Sequence, residues 1–164
     1  MNKIDPYKFD EKIFDLIDKQ WMLITAGTPD NCNTMTASWA GFGVLWNKKV
    51  CFTFVRPTRH TYNFTEENDL FTLTFFDEKY RDALKLLGTV SGKNRDKISE
   101  SGLTIEQISE TTGFKEARLT MVCKKVYWQD IDNRNFLVSE IENSYPQKDY
   151  HRMYVGEILE ILER

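Results

Sequence analysis

The stretch VCFTFVRPTRHT, residues 50–61, contains the two patterns that decide the fold of this chain. From Val50 to Val55, bulky apolar residues alternate with other side chains, which is the period of a β-strand with two distinct faces. The second half, from Arg56 to Thr61, joins this strand to the start of a helix, for which Thr58 is a candidate N-cap. The stretch therefore predicts a strand, a polar corner and a short helix in direct succession.

The same two-residue period recurs on both sides of this stretch and predicts five further strands. They cover residues 21–26, 34–39, 71–75, 119–123 and 154–158, each with an apolar face and a more polar face. Most successive strands lack a connection long enough for a parallel crossover. The pattern predicts a mainly β fold, an antiparallel barrel or sandwich with peripheral α-helices. No repeat, linker or low-complexity tract interrupts residues 1–164, which predicts a single domain.

Apolar residues at helical spacing predict two more helices, and a capping box predicts a third. The first covers residues 9–17, with Asp5 and Pro6 ahead of it as a start signal. The second runs over residues 80–87 and ends at Gly88. The third, short helix follows Thr104, which has Gln107 three residues later in the arrangement of a capping box.

Composition and charge exclude several classes of protein. Of the 164 residues, 41% are hydrophobic and 13% aromatic, which is enough apolar surface to offset chain entropy and argues against disorder. A net charge of −3, from 22 basic and 25 acidic residues, argues against a general nucleic-acid binder. No apolar run reaches the roughly 18 residues that span a bilayer. Three scattered cysteines and a charged, polar N-terminal segment predict a cytoplasmic protein without a signal peptide.

The common catalytic signatures are absent. Gly88 to Gly92 resembles a phosphate loop, but the spacing is too short and Asn94 replaces the hydroxyl residue that such a loop requires. The segment 41–46, GFGVLW, lacks the third glycine of a dinucleotide-binding fingerprint. The two histidines, His60 and His151, have no partner motif for a metal site, so we predict no metal.

The corner after the third strand is a candidate anion site. Its residues are Val55, Arg56, Pro57, Thr58, Arg59, His60 and Thr61. Two guanidinium groups supply planar donors that fit phosphate oxygens, and a helix start adds free backbone amides. The alternative is an ordinary solvated turn in which arginine pairs with nearby glutamates.

The second strand is a candidate surface for a flat heteroaromatic ring. It carries Asn33, Thr34, Met35, Thr36, Ala37, Ser38 and Trp39. Small side chains allow the backbone to approach a ring, and hydroxyls and amides can bond its polar edge. The alternative, which this segment alone favours, is a half-buried strand whose polar face is wet.

Two further stretches are candidate site residues only if they lie near the anion site and the ring-binding strand. Ser91, Gly92 and Lys93 could close on a phosphate or a second substrate. His151 is a candidate proton donor near a reacting ring, because a histidine pKa can be tuned across neutrality.

In this order and approximate spacing, several segments resemble the flavin reductase-like family, the flavoredoxin-like branch of the FMN-binding split barrels. The segments are NTMTASWAGFGVLWNK, VRPTRHTYNF, LFTLTFF, LGTVSGKNRDKI, EARLTMVCKKVY and DYHRMYVGEI, spanning about Trp21 to Ile158. One departure is Lys93, where the family pattern has an arginine. The resemblance implies a six-stranded antiparallel split β-barrel of the Greek-key type. It also implies a homodimer with FMN near the subunit interface.

Carried over to this chain, the resemblance implies a role for each segment. Met35 to Trp39 would bind the flavin ring, Arg56, Thr58, Arg59 and Thr61 would hold its phosphate, and Ser91, Gly92 and Lys93 would form a closing loop. The expected activity is that of an FMN-dependent oxidoreductase, with FAD a less favoured cofactor and NADH or NADPH the expected donor. Two alternatives stay open: a non-catalytic flavin carrier or redox sensor, and an oligonucleotide-binding barrel that stacks bases on its aromatics.

Overall fold

Ten β-strands and three α-helices form the computed structural model, which describes residues 1–164. The strands are β1 (Asn2–Ile4), β2 (Met22–Thr28), β3 (Asn31–Ala37), β4 (Ala40–Leu45), β5 (Lys48–Val55), β6 (Leu70–Phe75), β7 (Ile105–Ile108), β8 (Thr111–Phe114), β9 (Leu119–Asp130) and β10 (Arg152–Glu163). The α-helices are α1 (His60–Glu67), α2 (Arg81–Thr89) and α3 (Lys97–Ser101), and a π-helical segment covers Asp15–Gln20.

Eight of the strands form one antiparallel sheet in the order β3-β2-β6-β9-β10-β5-β4, with β1 also paired to β10. The edge strands β3 and β4 follow each other in the chain and are joined only by Ser38 and Trp39. This short connection holds the two edges of the sheet close together. The predicted mainly β, antiparallel fold is therefore confirmed, with eight strands in the main sheet where six were expected.

The six strands predicted from alternation are β2, β3, β5, β6, β9 and β10. The sequence analysis did not predict β1, because it has only three residues. It did not predict β4, because two glycines and the exposed Val44 interrupt the two-residue alternation of apolar side chains. It also missed the hairpin of β7 and β8, a separate two-stranded sheet. The capping box at Thr104 is wrong: Ile105–Ile108 is a strand, because pairing with β8 outweighs the local helix signal.

The threonine faces of the central strands are buried, which differs from the solvated faces expected of a one-sided sheet. Thr25, Thr34 and Thr72 are completely inaccessible. The hydroxyls of Thr25 and Thr34 lie 2.8 Å apart, and Thr72 Oγ1 donates to the carbonyl of Thr112 in β8 at 2.6 Å. Hydrogen bonds within the protein offset the burial of these three hydroxyls, whereas the buried hydroxyls of Thr74 and Thr120 have no partner. Hence the hairpin and the helices cover the more polar face that alternation predicted.

Of the predicted helices, α2 is confirmed and extends one residue past Gly88, to Thr89. The helix over 9–17 is confirmed only from Ile13 onward: Asp5 caps a short 3-10 turn at Pro6–Lys8, and the helical residues run from 13 to 20. Thr58 is not the N-cap of α1, since Arg59 occupies that position without a side-chain cap bond. Leu16 and Ile17 are nevertheless buried, as their spacing required.

Two apolar clusters stabilise the fold. The larger has 15 buried residues and fills the interior between the main strands, with Ile24, Leu73 and Met121 among its inaccessible members. The smaller has eight buried residues and joins β2 to α2, α3 and β8 through Leu23, Leu87 and other side chains. The second cluster fixes α2 against β2, next to β3, the strand that lines the candidate site.

Candidate functional site

A cleft of about 320 Å³, hereafter the main cleft, opens where the two edges of the sheet meet. Its lining comes from four separate parts of the chain. The lining residues are Met35, Thr36, Ala37, Ser38, Trp39, Phe54, Arg56, Arg59, Gly88 and His151. The structure thus brings together the predicted ring strand, both predicted arginines and the predicted histidine. Phe54 and Gly88 were not predicted.

The wall formed by β3 has the small side chains that a flat ring requires. Helix α2 packs closely against the back of this wall, since Thr36 Oγ1 donates to the carbonyl of Leu84 at 2.5 Å. A Cβ on Gly88 would lie 3.1 Å from Thr36 Cβ, so glycine permits this close packing. Ala37 and Ser38 remain partly accessible from the cleft. The strand is therefore not an ordinary wet edge.

Aromatic rings form the opposite wall. Trp39 is 46% exposed, and its ring centroid lies 4.9 Å from that of His151. Phe54 meets the same imidazole edge-on, with centroids 6.5 Å apart. A planar ligand between these rings and β3 would bury apolar surface on both of its faces.

Arg56 is held by the chain itself. Its Nη1 lies 2.8 Å from Asp149 Oδ1, and its Nη2 donates to the carbonyl of Ser144 at 2.8 Å. The hydroxyl of Thr58 donates weakly to the second oxygen of Asp149, at 3.4 Å. The Arg56 guanidinium also lies over the Tyr145 ring, 5.0 Å from its centroid. Two residues predicted to hold a phosphate thus hold the segment between β9 and β10.

Arg59 is less engaged and lies next to a cation that the sequence did not indicate. Arg59 Nη2 donates to the carbonyl of Gly88 at 2.7 Å, and Lys97 Nζ donates to the adjacent carbonyl of Leu87 at 3.0 Å. The Lys97 residue is only 3% exposed. Burial and the neighbouring Arg59 charge lower the pKa of Lys97 to about 8. The ammonium is thus buried with one protein acceptor for its three donors.

These two cations have a structural role and spare donors. They bond the last carbonyls of α2, where the helix dipole favours positive charge. One acceptor each leaves most of their N–H groups free for a further anion. Lys97 was missed because its sequence neighbours do not distinguish it from exposed lysines. Its inward position follows from Asp96, which caps the short α3 by accepting from the Ser99 amide at 3.1 Å.

The remaining predicted residues lie behind or beside the main cleft. Thr61 is buried and donates to Asn33 Oδ1 at 3.0 Å, so these two residues pair with each other. A Cβ on Gly92 would lie 2.2 Å from Asn33 Nδ2, so a larger residue there would displace the Asn33 side chain. Ser91 and Lys93 are exposed, and the Lys93 amide donates to the Ser91 hydroxyl at 3.3 Å.

This loop borders a separate pocket of about 410 Å³, which Asn33, Gly92, Lys93 and Lys97 help to line. Pro57 is exposed at the turn and lines neither pocket. Arg59 lines the main cleft and Lys97 lines the loop pocket, and their bonds to adjacent carbonyls of α2 bring the two cations together at the boundary.

His151 is an uncharged group at neutral pH. It is 7% exposed, and its Nδ1 shares a 2.9 Å hydrogen bond with the Tyr145 hydroxyl. Burial, assisted by the nearby Arg56 charge, lowers the pKa of His151 to about 4. At neutral pH the imidazole therefore offers one donor and one acceptor rather than a cationic acid.

The substitution His151→Gln should cost more stability at pH 7 than at pH 4.5. A folded-state pKa near 4 lies below the ordinary histidine value of about 6.5, so the unfolded chain takes up a proton first as the pH falls. The favourable contribution of neutral His151 is thus present above pH ~6.5 and is lost between there and pH ~4. Urea unfolding of both proteins at the two pH values tests this. An equal cost at both would contradict the burial of an uncharged imidazole.

Comparison with known proteins identifies the family to which this fold belongs. The model of the flavin reductase like domain matches residues 15–163. The chain therefore belongs to the flavin reductase-like family. No curated protein matches its sequence significantly. No helix has both the length and the apolar character needed to cross a membrane.

Solved structures share the fold at low sequence identity. Flavoredoxin of Desulfovibrio vulgaris (Miyazaki F) is 20% identical, with 88% of this chain and 69% of that chain covered and a TM-score of 0.67. An FMN-binding domain of a flavin reductases-like enzyme from Shewanella baltica is 14% identical, with coverages of 98% and 75% and a TM-score of 0.68. Nitrilotriacetate monooxygenase component B from Bacillus cereus is 18% identical, with coverages of 98% and 80% and a TM-score of 0.67. These likenesses confirm the split-barrel fold.

Proposed function

We propose that this protein is an FMN-dependent oxidoreductase that passes electrons from a reduced donor, NADH or NADPH, to an acceptor. The observation that carries the proposal is the juxtaposition of a partly aromatic cleft, which Arg59 lines, with a second under-bonded cation, Lys97, beside Arg59. A flavin mononucleotide presents the complementary pair of groups, a flat ring and a terminal dianion. Membership of the flavin reductase-like family and the FMN named for the Shewanella baltica neighbour support this choice over FAD.

The residues present fit such a cofactor. A buried lysine with one acceptor for three donors is costly unless a further partner compensates it, and a phosphate would supply that partner. Arg59 would add planar donors on the same side. We assign the phosphate to Arg59 and Lys97. Arg56, Thr58 and Thr61 then act by holding the segments around the cleft rather than by direct contact.

The ring would lie along Met35 to Ser38, with Trp39 and Phe54 as its aromatic neighbours in the cleft. FMN, when bound, supplies the redox chemistry by accepting a hydride or electrons and releasing them to an acceptor. The chain's own contribution is to bind, orient and exclude water. Backbone and hydroxyl donors of β3 would stabilise negative charge on the ring's polar edge. Neutral His151, fixed by Tyr145, would form a hydrogen bond rather than deliver a proton as a cation.

The direct experiment is to purify the protein and record its visible absorption spectrum before and after adding FMN and removing the excess. We expect the absorption bands of an oxidised flavin, and their bleaching when NADH or NADPH is added without oxygen. A preparation that stays colourless after FMN addition would refute flavin binding. Bound flavin that neither nucleotide reduces would favour the carrier or redox-sensor alternative. Light scattering tests the homodimer that the family resemblance implies.

A further inference from the structure

A second depression adjoins the main cleft. This apolar groove has a volume of about 630 Å³ and shares Ser38, Trp39 and Phe54 with the main cleft. Its far wall comes from the π-helical segment and the residues just before it, including Phe14 and Ile17. Because three lining residues are common to both depressions, a molecule in the groove would approach the aromatic wall of the cleft directly.

The lining of the groove selects against anionic ligands. Nine of its 12 lining residues are apolar, and the only charged one is the acidic Asp18. No arginine or lysine lines it, whereas the main cleft has Arg56 and Arg59. An acid without a cation disfavours a phosphate or carboxylate, so neither a flavin phosphate nor a nucleotide phosphate fits here. The volume lies within the roughly 300–1,000 Å³ range of small-molecule sites.

Aromatic surface at the groove is left in contact with water. Phe14 is 89% exposed and Trp39 is 46% exposed. Covering such rings with another flat apolar surface is favourable, and aromatic pairs add a geometric preference for flat or edge-on contact. The Tyr145 hydroxyl, a polar group of the lining, is already bonded to His151. The groove thus offers much apolar area and few unengaged polar groups.

We propose that the groove binds an uncharged, flat aromatic compound of one or two rings, next to the flavin site. Its role as a second substrate rests on the proposed function, but binding itself does not. The continuity with the main cleft and the absence of lining cations favour this occupant over a nucleotide.

The probe is 2-naphthol, compared with 2-naphthyl phosphate, which has the same ring system and an added charge. Binding of each is measured by equilibrium dialysis with the full chain, before and after incubation with FMN. We expect saturable binding of 2-naphthol in both states, and at least roughly tenfold weaker binding of the phosphate after FMN incubation. Phe14→Glu should weaken 2-naphthol binding by about tenfold or more, whereas the conservative control Phe14→Leu should retain it. Both should keep wild-type FMN affinity and circular dichroism.

Three results would overturn the proposal: no saturable 2-naphthol binding, binding that is insensitive to Phe14→Glu, or a dimer by light scattering that Phe14→Glu dissociates. The last result would assign the groove to a second copy of the chain. Failure of FMN to bind, with 2-naphthol binding intact, would instead contradict the proposed function and leave the groove as a ligand site.

Discussion

Replacing Arg59 and Lys97 together with methionine should weaken FMN binding by about 10²- to 10⁴-fold. Hydrogen bonds to a charged group contribute about 1.5–3 kcal/mol each, so loss of one such contact from each side chain costs about 3–6 kcal/mol. The protein should still fold, because methionine resembles lysine in length and removes a buried charge instead of adding one. Fluorescence titration of FMN with each protein measures the dissociation constants.

The matched control is Arg134→Met combined with Lys115→Met, which removes the same number of positive charges at exposed positions away from both pockets. Arg134 pairs with Asp132 through Nε at 3.0 Å and so has a surface role. This control should change FMN affinity by no more than a few-fold, through long-range charge alone. Equal losses in the two double variants would mean that net charge, rather than a cradle at the end of α2, determines the affinity. The assignment of Arg59 and Lys97 would then be wrong.

The substitution Gly27→Ala should destabilise the protein by about 2–6 kcal/mol, from backbone strain and overpacking together. Gly27 has a φ of +109°, which L residues rarely adopt. An added Cβ would lie 2.3 Å from the Asn31 carbonyl oxygen and 2.8 Å from Cys32 Cα. Both are backbone atoms, so no side-chain rotation can relieve the contact. Urea unfolding gives the change in the free energy of unfolding.

Gly43→Ala is the control, because a Cβ there meets nothing within 4 Å. We expect its stability to stay within about 0.5 kcal/mol of the wild type. Gly27 pairs with Cys32 in the register between β2 and β3, so a shift there displaces the strand that lines the main cleft. Weaker FMN binding by Gly27→Ala, measured below its unfolding transition, is therefore expected as well. A Gly27→Ala protein as stable as the wild type would show that the β2–β3 hairpin can relax without cost.

Local patterns predicted most of the sheet because the alternation of apolar and polar residues can be recognised within a single strand. Val50–Val55 and Phe71–Phe75 show it plainly, and both are strands in the structure. The same reasoning failed where partners outside the segment decide. Ile105–Ile108 follows a capping box yet is a strand, because Thr111–Phe114 pairs with it. Thr34 and Thr72 have polar side chains, which would suggest a solvent-exposed face. Both are nevertheless buried, because elements far away in sequence cover them.

For the site, local patterns were enough to identify the types of group involved: a strand with small residues, a corner with two arginines, and a histidine near the chain's end. These features can be predicted because residue type and period are properties of short segments. Which of these groups are free to bind depends on the packing of the folded chain. This packing paired Arg56 with Asp149, turned Lys97 inward beside Arg59, and set an apolar groove against the main cleft. Such outcomes depend on contacts between distant segments, and no pattern within one segment specifies its partner.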